Sequence, residues 1–259
     1  MWAVIGGSGL SQLANLDVSH REVLRTPYGE PSGALTFGKI CGHPVAFLAR
    51  HGFGHTVAPH EVNYRANIWA LAQRGAVGII SVASVGAISA DIKPGDLVIP
   101  HQIIDYTWGR QSTFHEGSNA PIKHIDFTEP YDEALRQHLL AAAEKISLPP
   151  RPQGVYAATQ GPRLESAAEV ERLARDGSDI VGMTGMPEAA LARELNVPYA
   201  AISVVANYAA GRGTSLHQVD FAAIDAVLHA SMAHVRSLIE TMLGCRPDEC
   251  AAAQSLVRE

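Results

Sequence analysis

Short, almost wholly apolar runs alternate along this chain with longer stretches in which apolar residues recur every three or four positions. Ala3-Val4-Ile5, Val45 to Ala49, Gly78 to Val82, Leu97 to Ile99, Gly154 to Thr159, Asp179 to Val181 and Tyr199 to Ala206 read as strands, short and bounded by turn residues. Val62 to Arg74 reads as a helix with Ile68, Trp69, Leu71 and Ala72 inward. Tyr131 to Ile146 repeats Leu135, Leu139 and Ala142-Ala143 at helical spacing. Ser166 to Arg175 is a third helix with an acidic first turn. Glu188 to Leu195 is a fourth, opened by Pro187, a residue suited to a helix start. Phe221 to Met242 is a long helix with Ile224, Leu228, Met232, Val235 and Ile239 on one face. This alternation predicts an α/β fold with a largely parallel sheet.

In such sheets ligands sit beyond the carboxyl ends of strands. Gly6–Gly9, Arg50-His51, the Ala83–Gly86 segment, Met183-Thr184 and Asn207 all fall at predicted strand ends. Gly6-Gly7-Ser8-Gly9 can turn tightly and aim N–H groups and a hydroxyl at an anion; the alternative is a plain glycine turn. Arg50 carries a planar, always charged fork suited to phosphate; the alternative is a structural ion pair with an acidic residue. Met183 offers a flexible apolar wall and Thr184 a hydroxyl; the alternative is core packing with a helix N-cap. Ala83-Ser84 is expected as a turn after its strand.

A second pair carries finer information. Glu165 accepts hydrogen bonds, and Asn207 both donates and accepts. A 6-oxopurine presents an N1–H donor with O6 and N7 acceptors, so this pair fits hypoxanthine or guanine better than adenine, whose N1 accepts.

The 259 residues suffice for one substantial core, and no linker, charge block or repeat divides them. Net charge is −6, which argues against a broad grip on nucleic acid but not against a local anion site. Cys41, Cys245 and Cys250 are few and lack metal-ligand spacing, so no disulfide framework is expected. His51, His55 and His60 cluster, but no Cys or carboxylate completes a familiar ligand set, and no metal is expected. There is no Gly-x-Ser-x-Gly elbow. The N-terminus enters Trp2–Ile5 without a basic, then apolar, leader, and no apolar run reaches membrane-spanning length. The expectation is a cytoplasmic protein.

Five ordered motifs resemble the trimeric purine nucleoside phosphorylase and methylthioadenosine phosphorylase family. They are Ile5-Gly6-Gly7-Ser8-Gly9-Leu10, Arg50-His51-Gly52, Asn63-Tyr64-Arg65-Ala66-Asn67, Gly161-Pro162-Arg163 and Met183-Thr184-Gly185-Met186-Pro187-Glu188. The resemblance runs from Ile5 to about Leu243. It implies one domain over residues 1–244 with a twisted, mostly parallel, partly barrel-like sheet flanked by helices, and a loose tail over 245–259. It implies phosphate held by Ser8, Arg50, His51, Ala83, Ser84 and Thr184, the ribosyl group against Met183, and the base at Glu165, Asn207, Tyr208 and Ala209. It implies a homotrimer in which a neighbouring subunit lends His124 to the sugar. No cofactor or metal is implied; inorganic phosphate is a co-substrate.

The adenine-cleaving branch has aspartate at the positions of Asn207 and Ala209, whereas the 6-oxopurine branch has Glu and Asn at 165 and 207, as here. Branches acting on ordinary nucleosides place a histidine on the last helix, where this chain has Ile224. An apolar residue there suits a methylthio group. The substrate implied is S-methyl-5′-thioinosine, with Asn207 as the catalytic residue. The rivals are a 6-oxopurine nucleoside phosphorylase for inosine and guanosine, a methylthioadenosine phosphorylase, and a non-catalytic purine or dinucleotide-binding module.

Overall fold

The computed structural model of the chain describes residues 1–117 and 121–244; the expected C-terminal tail lies outside them. The strands are β1 (Trp2–Gly6), β2 (Asp17–Glu22), β3 (Leu35–Ile40), β4 (His43–Ala49), β5 (Gly78–Ala87), β6 (Leu97–Val98), β7 (Gln102–Asp105), β8 (Val155–Ala158), β9 (Ile180–Gly182) and β10 (Tyr199–Tyr208). The helices are α1 (Tyr64–Gln73), α2 (Glu133–Lys145), α3 (Ala167–Arg175), α4 (Gly185–Glu194) and α5 (Phe221–Met242), with a 3-10 turn at Gly213–Ser215. The strands form one mixed sheet ordered β2-β3-β4-β1-β5-β9-β8-β7, with β10 on the far edge of β5 and β6 beyond it. Parallel pairings join β1 to β4 and β5, β5 to β10, β7 to β8 and β8 to β9.

Side chains of the central strands alternate between two apolar layers, as strand geometry requires. Ala3, Ile5, Ala46, Leu48 and Ile79 face a core shared with Ile68 and Leu71 of α1 and Ala189, Leu191 and Ala192 of α4. Val4, Val45, Phe47, Ile80 and Ile202 face a second core under Leu135 and Leu139 of α2 and Leu228, Met232, Val235 and Ile239 of α5. Burial on both faces explains why these strands read as unbroken apolar runs. The helix starts are set by side-chain caps: Asn63, Asp132 and Asp220 each accept from a first-turn N–H, and Ser166 and Glu169 form a reciprocal capping box. Those caps start α1 and α2 two residues later than the apolar spacing alone suggests.

Strand β5 decides where a ligand can go. One edge pairs with β10 from Ile79 to Ala87. The other edge pairs with β1 from Gly78 to Ser81, then with β9 only at Gly86 and Ala87. The neighbours therefore diverge along Val82–Val85 and leave a fork in the sheet. The expected turn at Ala83-Ser84 is corrected here: both residues lie inside the ten-residue strand β5. The run of small and β-branched residues from Val82 to Ala87 continues the strand because β10 pairs with it throughout. The hairpin β2–β3 and strand β7 were not foreseen; β2 is mostly exposed, so it lacks an apolar run. The cysteine expectation is corrected too, since Cys41 is disulfide-bonded; the other two cysteines lie outside the described residues. No helix of the described residues is long and apolar enough to cross a membrane.

Candidate active site

A cavity of about 540 Å³ fills the fork, within the size range of small-molecule sites. It is lined by Ser8, Arg50, His51, Ala83, Ser84, Glu165, Met183, Thr184, Asn207 and Ala209, brought together from six stretches of the chain. Other lining residues were not anticipated, the Thr56–Pro59 loop, Val181 and Val219 among them, and Phe221 lines the cavity as well. The loop is held from behind by Tyr64, whose hydroxyl donates to Pro59 O at 2.7 Å. That bond gives the Asn63–Asn67 motif a physical role in shaping the wall.

At the floor of the fork Arg50 is completely buried. Its Nε and Nη2 both donate to the Glu188 carboxylate, Nη2 also donates to Ser81 Oγ at 2.6 Å, and Nη1 donates to Val82 O at 2.9 Å. Val82 is where β1 has left β5, so the guanidinium takes over a carbonyl without a strand partner. A guanidinium has five N–H groups. Four are accounted for, and one Nη1–H remains beside the cavity. The structural ion pair weighed from sequence is present, then, and Arg50 keeps a single N–H beside the cavity. Gly7 permits this packing: a Cβ there would lie 2.7 Å from both Arg50 Nη1 and Val82 O.

His51 is buried, and its Nδ1 lies 2.9 Å from Val57 O. A carbonyl only accepts, so Nδ1 carries the proton and Nε2 is an acceptor. Burial first, and the Arg50 charge second, push the His51 pKa down to about 4. The ring is neutral near pH 7. Ser8 Oγ lies 3.3 Å from His55 Nε2. Thr184 precedes α4 and lines the cavity, and its hydroxyl makes no capping bond. Neutral donors and acceptors and a charge-balanced Arg50 thus share one end of the cavity lining.

Elsewhere on the lining, Glu165 Oε1 accepts from Thr159 Oγ1 at 2.5 Å. Asn207 Nδ2 donates to Tyr208 O at 2.6 Å, leaving its Oδ1 and second N–H. Gly161, at φ +64, lets the preceding loop settle on Met183: a Cβ there would be 2.5 Å from the sulfur.

Three expected residues lie away from the cavity. Tyr208 alternates to the opposite side of β10 from Asn207 and packs its ring against Gly213. Ile224 packs against the α2–α5 core, while Phe221, one turn earlier on α5, lines the cavity with Val219. His124 is exposed and does not line this chain's cavity. Among the described residues no three His, Cys, Asp or Glu side chains are grouped to hold a metal.

A profile of the phosphorylase superfamily matches residues 2–244. The chain belongs to that family. It is 49% identical over 243 residues to a probable S-methyl-5′-thioinosine phosphorylase of Pseudomonas syringae pv. tomato, covering 94% of this chain and 98% of that relative. It is 47% identical over 214 residues to a 6-oxopurine nucleoside phosphorylase of Pyrococcus furiosus, covering 81% and 80% of the two chains. A solved methylthioadenosine phosphorylase of Schistosoma mansoni, in complex with adenine, superimposes with a TM-score of 0.89 at 30% identity over 98% of this chain and 96% of that one. The phosphorylase superfamily assignment agrees with the five motifs, and the chain is an enzyme of the pentosyltransferase class.

Proposed function

We propose that this phosphorylase cleaves S-methyl-5′-thioinosine with inorganic phosphate, giving hypoxanthine and S-methyl-5-thioribose 1-phosphate. The observation that carries the base choice is the presence of Glu165 and Asn207 on one cavity wall system, with Ala209 rather than a carboxylate beside them. Glu165 accepts the purine N1–H. Asn207 donates its remaining N–H toward the O6 and N7 acceptors. A phosphate oxygen attacks C1′ as the bond from C1′ to N9 breaks, and the bonding pair passes to the purine. Asn207 then meets the growing charge on the base, an oxyanion-type role. Ser8, His51, Ser84, Thr184 and the remaining Arg50 N–H hold phosphate, and Met183 backs the sugar. Val219 and Phe221 supply the apolar surface for the methylthio group.

The proposed working unit is a cytoplasmic homotrimer in which the exposed His124 reaches a neighbouring site. Phosphate is its co-substrate, with no cofactor or metal. A second reading, phosphorolysis of inosine and guanosine, is favoured by the similarity to the Pyrococcus furiosus relative. Incubating the protein with methylthioinosine, methylthioadenosine or inosine, with and without phosphate, separates these readings by the free base released. Phosphate-dependent hypoxanthine release that is fastest from methylthioinosine is the expected result. Release that is faster from inosine supports the second reading, and adenine as the main product overturns both.

A further inference from the structure

Arg110 lies outside the cavity lining, yet it binds two of the stretches that form it. Its Nη1 donates to Met183 O at 2.8 Å and Met186 O at 2.6 Å. Its Nη2 donates to Thr159 O at 3.2 Å and Gln160 O at 2.8 Å, and its Nε to Gln160 Oε1 at 3.2 Å. The guanidinium also sits 5.3 Å from the centre of the Tyr64 ring, the residue that secures Pro59. We propose that Arg110 is a positioning residue for base selection: it locks the loop carrying Glu165 against the Met183 wall.

The loop itself explains why such a lock is needed. Among the described residues, 161–165 make no backbone–backbone hydrogen bond. The segment is moored at its two ends. Beyond Glu165 the mooring is the Ser166–Glu169 capping box of α3. Before Gly161 it is the Thr159–Gln160 pair, held by the Thr159 N–H to Gly182 O at 2.8 Å and by Arg110. Thr159 then passes the constraint on, because its hydroxyl holds Glu165 Oε1. Carboxylate position and sugar wall are thereby fixed relative to each other through one planar cation.

Arg110 has no donor left for a ligand, since every N–H already has a protein acceptor. It also forms no ion pair among the described residues; its acceptors are carbonyls, an amide oxygen and a phenol. Lysine keeps the charge but offers three donors from a point rather than five from a plane. It can hold one side of the junction and not both.

This inference rests on Glu165 as the base-reading group. The test is the ratio of kcat/KM for methylthioinosine to that for methylthioadenosine, both measured on the same preparation of wild type, Arg110→Lys and Arg110→Met. A ratio cancels the fraction of active protein, so simple destabilisation leaves it unmoved. The expected result is a collapse of the ratio toward unity by about tenfold or more in Arg110→Met, with Arg110→Lys between. Phosphate KM should stay near the wild-type value. Should Arg110→Met fail to fold, Arg110→Lys and Thr159→Val carry the test, and both should move the ratio in the same direction. An unchanged ratio in the variants that fold overturns the inference. A wild type that prefers methylthioadenosine would instead count against the proposed function, while the shift of its ratio toward unity on substitution still reads Arg110.

Discussion

Arg50 and Glu188 form a fully buried ion pair at the floor of the sheet fork, joined through both Nε and Nη2. Ser81 and Tyr199 complete the carboxylate shell, donating to Glu188 Oε2 at 3.0 and 2.9 Å. The two charges cancel, and the neutral His51 adds none. Removing one partner strands the other in the core, which costs about 3–5 kcal/mol. Glu188→Gln should therefore lower unfolding free energy by roughly that amount in denaturant titration. The double variant Arg50→Met, Glu188→Leu should recover part of it. A double variant as unstable as the sum of its singles would show that the pair is not what couples them.

The same cancellation predicts how phosphate binds. An anion held by hydrogen bonds around a balanced pair gains little from long-range attraction, and salt has little attraction to screen. Phosphate KM should hold nearly constant between low and high potassium chloride. A steep rise with salt would mean that an unbalanced cation faces the anion.

Asn207→Asp tests the base end. A carboxylate cannot donate to O6 unless protonated, so the 6-oxopurine preference should erode. Sites that bond one base edge discriminate strongly because the wrong base leaves polar groups unpaired. The ratio of methylthioinosine to methylthioadenosine efficiency is the measurement. An undiminished ratio would remove Asn207 from base recognition.

Phe221 lines the cavity at the entry to α5, where the family resemblance implied Ile224. The wild type should prefer methylthioinosine to inosine by at least about tenfold, corresponding to 1.4 kcal/mol. Phe221→His should narrow that gap by offering the 5′-hydroxyl a partner. Ile224→His, in contrast, puts a polar ring against the core between α2 and α5, and should lower the unfolding midpoint while leaving the preference in place. Equal efficiency of wild type on both substrates would falsify the 5′ assignment.

His51 sets an acid limit. Its folded pKa, about 4, lies below the ordinary 6.5, so the unfolded chain binds the proton more tightly. The stabilising contribution is complete above pH 6.5 and disappears as pH falls toward 4. Its size is on the order of 3 kcal/mol. His51→Gln should flatten the loss of unfolding free energy across this window, and an identical slope in both proteins would rule His51 out as its source.

Much of this was readable from residue order because the physics is local. Strands buried on both faces leave continuous apolar runs, and the reading of a helix over Phe221–Met242 from its apolar stripe matches α5 at both ends. The residues expected at Ser8, His51, Thr184, Glu165 and Asn207 do meet in one cavity. What escaped was set by tertiary partners. Ala83-Ser84 stays extended because β10 runs beside it. Phe221 displaces Ile224 because one turn of helix decides between cavity and core. Tyr208 is turned away by the pleat of its own strand. Arg110 gave no signal, since its acceptors are mostly backbone carbonyls that any residue could supply.

The cavity wall has two parts with separate upbringings. The Thr56–Pro59 loop, Val219 and Phe221 come from the start of the Asn63 motif and the entry to α5, whereas Pro162, Leu164, Glu165 and Asn207 come from the α3 approach and the end of β10. Few bonds cross between them, so mutation can remodel one part while the other keeps its geometry. Relatives at 49% and 47% identity bear the names probable S-methyl-5′-thioinosine phosphorylase and 6-oxopurine nucleoside phosphorylase. Such a lineage can change diet at one end of the molecule it eats without relearning the other.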